Sequence, residues 1–372
     1  MKITSLETFH VRPRWLFVKI TTDSHHVGWG EATLEGRTQT AAAAVREIGR
    51  MIIGEDPRRI EHLWQVMYRR TFYRGGPVLS SAISGVEHAL WDILGKSLNV
   101  PVYQLLGGAV RDRIRMYGWT EGAKTGDYIE KFQHRLQSGR FTAYKFCPVE
   151  ACRMIESPAA MDAAVERVRE ARELAGRETD IAIDLHGRVT PALARRLAQK
   201  FEPFDPLFLE EPVLPGDTAA LKAIAASTTI PIATGERLFT RWQFQEVIEQ
   251  QAVAVVQPDL AHVGGIWEAR KIAAMAESRN IAVAPHCPLG PIGLAASLQL
   301  DACTPNFLIQ EHVTLGEGYL TQPFEVVDGH IALPTGPGLG IEVDEEALQE
   351  HLFDGDWDTP TFALDDQSVA EW

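Results

Sequence analysis

The alternation of apolar and polar positions changes character about a third of the way along the chain. Before residue 113 the pattern is mixed. Apolar-rich runs at Leu16 to Thr22 and Gly28 to Ala32 flank the turn Asp23-Ser24-His25-His26, which predicts a β-hairpin. Apolar residues three and four apart then predict helices over Thr40 to Met51, Pro57 to Tyr68 and Ser80 to Leu98. Pro101 and Gly107-Gly108 punctuate the exit from the last helix. Residues 1–112 therefore read as an α+β unit.

From about Arg113 short apolar strands alternate with helical stretches. The strand candidates are MYGW, TAYKF, IAID, LFLE, IATGE, AVVQ, IAVAP and NFLIQ. Eight such units predict a closed (β/α)8 barrel of the TIM type, modified at its ends, over residues 113–318. After about Tyr319 the alternation stops. The tail, 319–372, holds a strand-like Ile331 to Leu333, a turn at Gly336 to Gly340 and the ending Ser368-Val369-Ala370-Glu371-Trp372. Its simplest packing is back onto the N-terminal unit, the two together capping the barrel. The glycines at 336–340 lack the strand-before, helix-after setting of a phosphate loop and read as a turn.

Charged residues interrupt the apolar strands at one place each. Lys145 closes TAYK, Asp184 closes IAID, Glu210 closes LFLE and Glu236 closes IATGE. Asp259 follows AVVQP, His286 follows IAVAP and Glu311 follows NFLIQ. Successive intervals between these residue numbers are 39, 26, 26, 23, 27 and 25, and each after the first is about one βα unit. A lone Asp or Glu after a strand is more often a helix cap. Seven in phase are not explained by capping. In this fold the C-terminal strand ends surround the active site, so all seven should converge there.

Composition narrows the class without choosing the reaction. The chain is 45% hydrophobic and 23% charged, ordinary globular material. Its formal charge of −14 opposes binding to nucleic acid or anionic membranes. No apolar run approaches the roughly 18 residues that span a bilayer. Glu7, His10, Arg12 and Arg14 break any signal-peptide pattern. Four scattered cysteines, Cys147, Cys152, Cys287 and Cys303, show neither zinc spacing nor disulfide density and read as reduced thiols. These features predict a soluble cytoplasmic protein, and a chain of this class is expected to form a homo-oligomer.

The chemistry follows from the residue types. Asp184, Glu210 and Glu236 offer three hard oxygen ligands with no sulfur, a set suited to one Mg²⁺ per chain. Three carboxylates exceed the ion's charge, and Lys145 and Arg237 can supply the balance. A carboxylate substrate held there can lose its α-proton to form an enediolate, whose charge the metal stabilises. His186 lies two residues beyond Asp184, so strand alternation points it to the same side as a candidate donor to a leaving hydroxyl. Asp259 and His286, one βα unit apart, suggest an imidazole oriented and made more basic by a carboxylate.

These residues resemble the enolase superfamily in its mandelate-racemase-like branch. The likeness runs from Val27-Gly28-Trp29-Gly30-Glu31 through Ala89-Leu90-Trp91-Asp92 and Glu210-Glu211-Pro212 to Gly235-Glu236. Within the branch the chain is most similar to the galactonate dehydratases. Arg14-Trp15, Tyr73-Arg74-Gly75-Gly76-Pro77, Asp184-Leu185-His186-Gly187-Arg188, Gln257-Pro258-Asp259-Leu260 and the run Ala284 to Pro291 carry that likeness. The resemblance implies that His286 abstracts the C2 proton of an aldonate with Asp259 behind it. It implies that His186 protonates the departing C3 hydroxyl, while Lys145 and Glu311 hold the carboxylate. The implied product is a 2-keto-3-deoxy aldonate. Arg14, Trp15, Arg237 and Cys147 are the expected substrate-binding residues, and His25 lies in the nearby hairpin turn.

Cys147 departs from the pattern. Racemases of this branch carry a second lysine there, and galactonate dehydratases carry an asparagine. Loss of the lysine argues against a two-base racemase, and the thiol leaves the choice of aldonate open. Two other readings stand beside the dehydratase: an epimerase or cycloisomerase on the same scaffold, and a catalytically silent sugar-acid-binding protein. A pair of differently placed histidines argues against the last, because binding alone needs no acid and base.

Overall fold

The computed structural model describes residues 1–120, 128–355 and 357–372. The N-terminal unit is an antiparallel sheet of β1 (Ile3–Val11), β2 (Trp15–Thr22) and β3 (Val27–Glu31), followed by α1 (Thr38–Ile52), α2 (Ile60–Arg69) and α3 (Gly76–Leu98). β2 and β3 form the predicted hairpin. β1 was not legible in the pattern. It pairs with β2 from Ile3–Thr22 to Val11–Trp15, yet as an edge strand it fully buries only Ile3 and Val11. α3 lies against β3 so closely that a Cβ on Gly30 would sit 1.8 Å from the Gly85 carbonyl oxygen.

The chain then enters the barrel through β4 (Arg113–Arg115). Seven parallel strands follow in sequence order: β5 (Gly118–Trp119), β6 (Ala143–Phe146), β7 (Asp180–Asp184), β8 (Leu209–Glu210), β9 (Ile232–Thr234), β10 (Val255–Val256) and β11 (Ala282–Val283). The eighth predicted strand, NFLIQ, closes the ring through single bridges. Leu308 N–H donates to Val283 O at 2.8 Å, Gln310 N–H to Arg115 O at 2.9 Å and Tyr117 N–H to Gln310 O at 3.1 Å. Each strand, or the residue flanking it, contributes to an inner core of Tyr117, Ala143, Ala182, Phe208, Ala233, Val255, Ala284 and Ile309. That packed plug floors the site above it.

Three barrel helices cap themselves. Ser157, Thr190 and Asp217 accept first-turn backbone N–H groups of the helices Pro158–Ala175, Pro191–Phe201 and Thr218–Ala225. The helices Ile266–Glu277 and Pro291–Cys303 begin after Gly265 and Gly290, which have no side chain to offer. The N-terminal unit supplies both caps. Glu87 accepts from Ile266 N at 2.8 Å and Trp267 N at 2.9 Å, and Glu31 accepts from Gly290 N at 2.7 Å and Gly293 N at 2.8 Å. Burial pushes both carboxyls up, Glu31 to about 7 and Glu87 to about 8, although these N–H groups pull them down.

The tail divides its contacts. β12 (Val326–Val327) and β13 (His330–Ala332) pair antiparallel, and β13 pairs with β4 at the barrel entrance. Beyond them the chain reaches the N-terminal unit: Leu339 N–H donates to Asp92, Arg12 N–H to His351 O, and Lys19 pairs with Glu345 at 2.6 Å. All four cysteines are free, with Cys147, Cys287 and Cys303 buried. Among the described residues no helix is long and apolar enough to cross a membrane.

Candidate active site

Asp184 ends β7, Glu210 ends β8 and Glu236 lies two residues beyond β9. Gly235 makes that last placement possible, since at φ +147° a Cβ would press within 2.8 Å of the Gln257 backbone. The three carboxylates offer oxygens within 4.8 Å of one another. Burial and the charge of Asp184 push the Glu210 carboxyl well above its ordinary range. Burial opposes ionisation of Asp184 too, but His186 and Lys145 outweigh it and hold that carboxyl low. Glu236 Oε2 is buried and accepts no hydrogen bond. Crowded hard oxygens with one left unsatisfied fit a bound cation that prefers oxygen ligands.

Lys145, on β6, is 1% exposed. Its Nζ lies 2.6 Å from Glu210 Oε1, 3.1 Å from Glu311 Oε1 and 3.7 Å from Asp184 Oδ2. Burial alone would lower its pKa, but Glu210 and Glu311 outweigh it and hold the ammonium charged. Gln257 donates to the other Glu210 oxygen at 2.6 Å, and Cys287 N–H donates to Glu311 Oε2 at 3.1 Å.

His286 shares Nδ1 with Asp259 Oδ2 at 2.9 Å, which leaves Nε2 facing Glu236 at 3.5 Å and Glu311 at 3.8 Å. Asp259 is fixed in turn by the Ala261 N–H at 2.8 Å and by His262, 3.7 Å away. Burial works against protonation of His286, yet Glu236 and Glu311 carry its pKa up to about 10. All seven strand-end residues are thus linked by contacts into one network. Their spacing along the chain predicts this convergence.

His186 also reaches the cluster, its Nε2 2.9 Å from Asp184 Oδ2, but not by strand alternation. β7 ends at Asp184, and His186 sits in the left-handed region at φ 51°. Its own N–H donates to Asp184 Oδ1 at 2.8 Å. Glu211, just past Glu210, is left-handed as well at φ 43°. Such backbone strain collects where a site dictates direction.

The four expected substrate-binding residues lie at different removes. Cys147 is buried beyond β6, within 3.3 Å of Arg188 Nη1. Arg237 is committed to Glu211, donating at 2.6 Å, and approaches Glu236 no closer than 3.9 Å. Arg14 donates to Pro288 O at 2.8 Å, two residues past His286, and pairs with Glu35 at 3.3 Å. Trp15 is a buried core residue of β2. His25 is exposed in the hairpin turn. Sequence reasoning missed Tyr117 and Trp119, whose rings each lie 5.3 Å from Lys145 Nζ, and Trp372, whose ring lies 5.4 Å from that of His186. Aromatic residues in apolar strands carry no signal that separates site wall from core.

Known relatives share this architecture. Residues 127–347 match the enolase C-terminal domain-like model, and residues 3–107 match the N-terminal domain of mandelate racemase and muconate lactonizing enzyme. The D-galactonate dehydratase of Xanthomonas euvesicatoria pv. vesicatoria (strain 85-10) is 48% identical, and that of Variovorax paradoxus (strain S110) 47%, each over 100% of both chains. Among solved structures, an enolase from Agrobacterium radiobacter with bound Na and L-malate superposes with a TM-score of 0.93 at 31% identity, over 100% of both chains. A mandelate racemase/muconate lactonizing enzyme from Sulfitobacter sp. gives 0.89 at 35% identity, over 96% of this chain and 97% of the other. With both domain models matched and the whole chain aligned, this protein belongs to the enolase superfamily, in the mandelate racemase and muconate lactonizing enzyme group.

Proposed function

We propose that the chain is a Mg²⁺-dependent hydro-lyase that dehydrates an aldonate, D-galactonate or a close relative, to the 2-keto-3-deoxy sugar acid. The observation that carries the reading is the pair of histidines bordering one carboxylate cluster, His286 backed by Asp259 and His186 beside Asp184. Full-length relatives named D-galactonate dehydratase support the substrate class.

Asp184, Glu210 and Glu236 would hold the ion, which when bound supplies positive charge to the substrate carboxylate and to the enediolate. Lys145, already charged between Glu210 and Glu311, adds a second cation on the substrate's carboxylate side. With a cation held there, Glu236 would pull less on His286, whose Nε2 would then be neutral and able to accept a proton. His286 takes the C2 proton, and Asp259 steadies the imidazolium through Nδ1. His186 gives a proton to the C3 oxygen as the C3–O bond breaks, and water leaves. The resulting enol takes up a proton at C3 and becomes the 2-keto acid. Cys147, Arg237 and Arg14 are assigned to the walls that choose among aldonates, with Trp15, buried in β2, supporting Arg14 from behind at 5.2 Å.

We infer a division into an N-terminal unit (1–112), a barrel (113–318) and a tail (319–372). The switch from mixed to βα alternation at about Arg113 supports it. The free cysteines and net negative charge favour a cytoplasmic setting. Exposed Phe72, Tyr73, Met154 and Ile155 favour a homo-oligomer. The direct test is incubation of the protein with D-galactonate and Mg²⁺, with a semicarbazide assay for 2-keto product. Epimerised substrate without keto product, or no turnover across an aldonate series, would overturn the reading.

A further inference from the structure

Residues 357–372 touch both halves of the molecule. The Trp357 ring centroid lies 4.4 Å from the guanidinium carbon of Arg14, which itself reaches the loop after His286. Further on, Phe362 lies 4.3 Å from the guanidinium carbon of Arg188. Arg188 Nη1 donates to Val149 O at 3.0 Å and contacts Cys147 Sγ at 3.3 Å. A local antiparallel turn, with Leu364 N–H on Ser368 O and Ala370 N–H on Phe362 O, doubles the segment back. Phe362 and Trp372 then meet edge-on, 6.4 Å apart at 87°. Trp372 in turn meets the His186 imidazole, 5.4 Å apart at 61°. Trp119 contacts the same imidazole at 5.6 Å and 61°.

His186 needs such contacts. One of its nitrogens is bound to Asp184, while the buried Nδ1 has only the Cys147 thiol, a weak hydrogen-bonding group, as its polar neighbour. A ring held firmly at one nitrogen and only weakly at the other can still turn about the Asp184 bond. Two edge-on indoles favour one orientation over the others. We propose that Trp372 is a positioning residue for His186, presented by segment 357–372, and that this segment completes the acid side of the site. The proposal rests on the dehydratase reading above. It deepens that reading by naming a residue that acts on water loss and not on proton abstraction, because Trp372 packs on His186 while His286 is held separately by Asp259.

Trp372 is 42% exposed, so its truncation leaves no core cavity, and thermal unfolding serves to check that the fold is kept. The experiment incubates wild type, Trp372→Ala and Trp372→Phe with D-galactonate and Mg²⁺ in D₂O. NMR follows deuterium entering C2 of the recovered substrate, and a semicarbazide assay follows 2-keto product. Trp372→Ala should raise the ratio of C2 exchange to dehydration about tenfold, a part of the roughly 10²–10⁴-fold that a general acid supplies. Trp372→Phe, which keeps a ring against the imidazole, should return that ratio to within about threefold of wild type. An alanine variant that loses exchange and dehydration equally, or neither, overturns the proposal. So does a phenylalanine variant no better than alanine. A wild type that forms no keto product overturns the dehydratase reading itself, which separates the two failures.

Discussion

Glu31, the last residue of β3, accepts the Gly290 N–H at 2.7 Å and so ties the N-terminal sheet to the loop that carries His286. The same carboxyl accepts from Gly293 N and from the Thr33 hydroxyl, all inside the protein. Its pKa rises from 4.5 to about 7, chiefly through burial. Between those two values the native state binds more protons than the unfolded chain, so stability falls as pH rises. The contribution is full below 4.5 and lost through about 7. Glu31→Gln cannot titrate. It costs about 1–3 kcal/mol at low pH, because its amide nitrogen faces a backbone donor. The gap between wild type and variant should narrow from pH 5 to pH 8 in urea unfolding. A gap that widens would contradict the buried-acid account.

The carboxylate cluster predicts metal dependence. Chelation should abolish dehydration, and Mg²⁺ should restore it. Glu236→Gln should lower turnover by at least about 10²-fold, the scale of losing one preorganised charge contact. A binding readout separates metal loss from damage to chemistry. At about 100 times its Kd, Mg²⁺ should stabilise wild type by about 2.7 kcal/mol and leave Glu236→Gln nearly unmoved. Full activity after exhaustive chelation would remove the metal argument.

Cys147 touches Arg188, donates to Val149 O and neighbours His186, contacts that shape the wall and the acid's surroundings without requiring thiolate chemistry. Cys147→Ala should therefore keep turnover within about tenfold, with the change appearing in preference among aldonates. A loss on the general-base scale of about 10²–10⁴-fold would make the thiol a chemical participant.

The strand ends were legible because a barrel repeats one polar position per βα unit, and that phase survives without any structure. The three carboxylates, Lys145, Asp259, His286 and Glu311 were found that way. β1 was not, because an edge strand that buries only its ends resembles a polar loop. His186 was placed correctly for the wrong reason, since its direction comes from a left-handed residue and not from pleat alternation. Arg237, expected to supply positive charge beside the metal ligands, does pair with Glu236 at 3.9 Å, but its shorter bond of 2.6 Å is to Glu211, whose separate role is invisible within Glu210-Glu211-Pro212. Trp372 lies 186 residues from His186 in the chain, and no local pattern joins them.

The division of labour between the histidines gives the last prediction. His286 is poised by Asp259 and acts on C2, whereas His186 stands beside Asp184 and acts on the C3 oxygen. His186→Asn should stop water loss yet leave C2–H cleavage, so in D₂O the variant washes deuterium into C2 while forming little keto product. His286→Asn should abolish both. Asp259→Asn should resemble a weakened His286 variant, because it removes the carboxylate that orients and strengthens the base. Each acid–base deletion should cost about 10²–10⁴-fold in the step it serves. Deuterium wash-in by the His286 variant, with none by the His186 variant, would reverse the two roles.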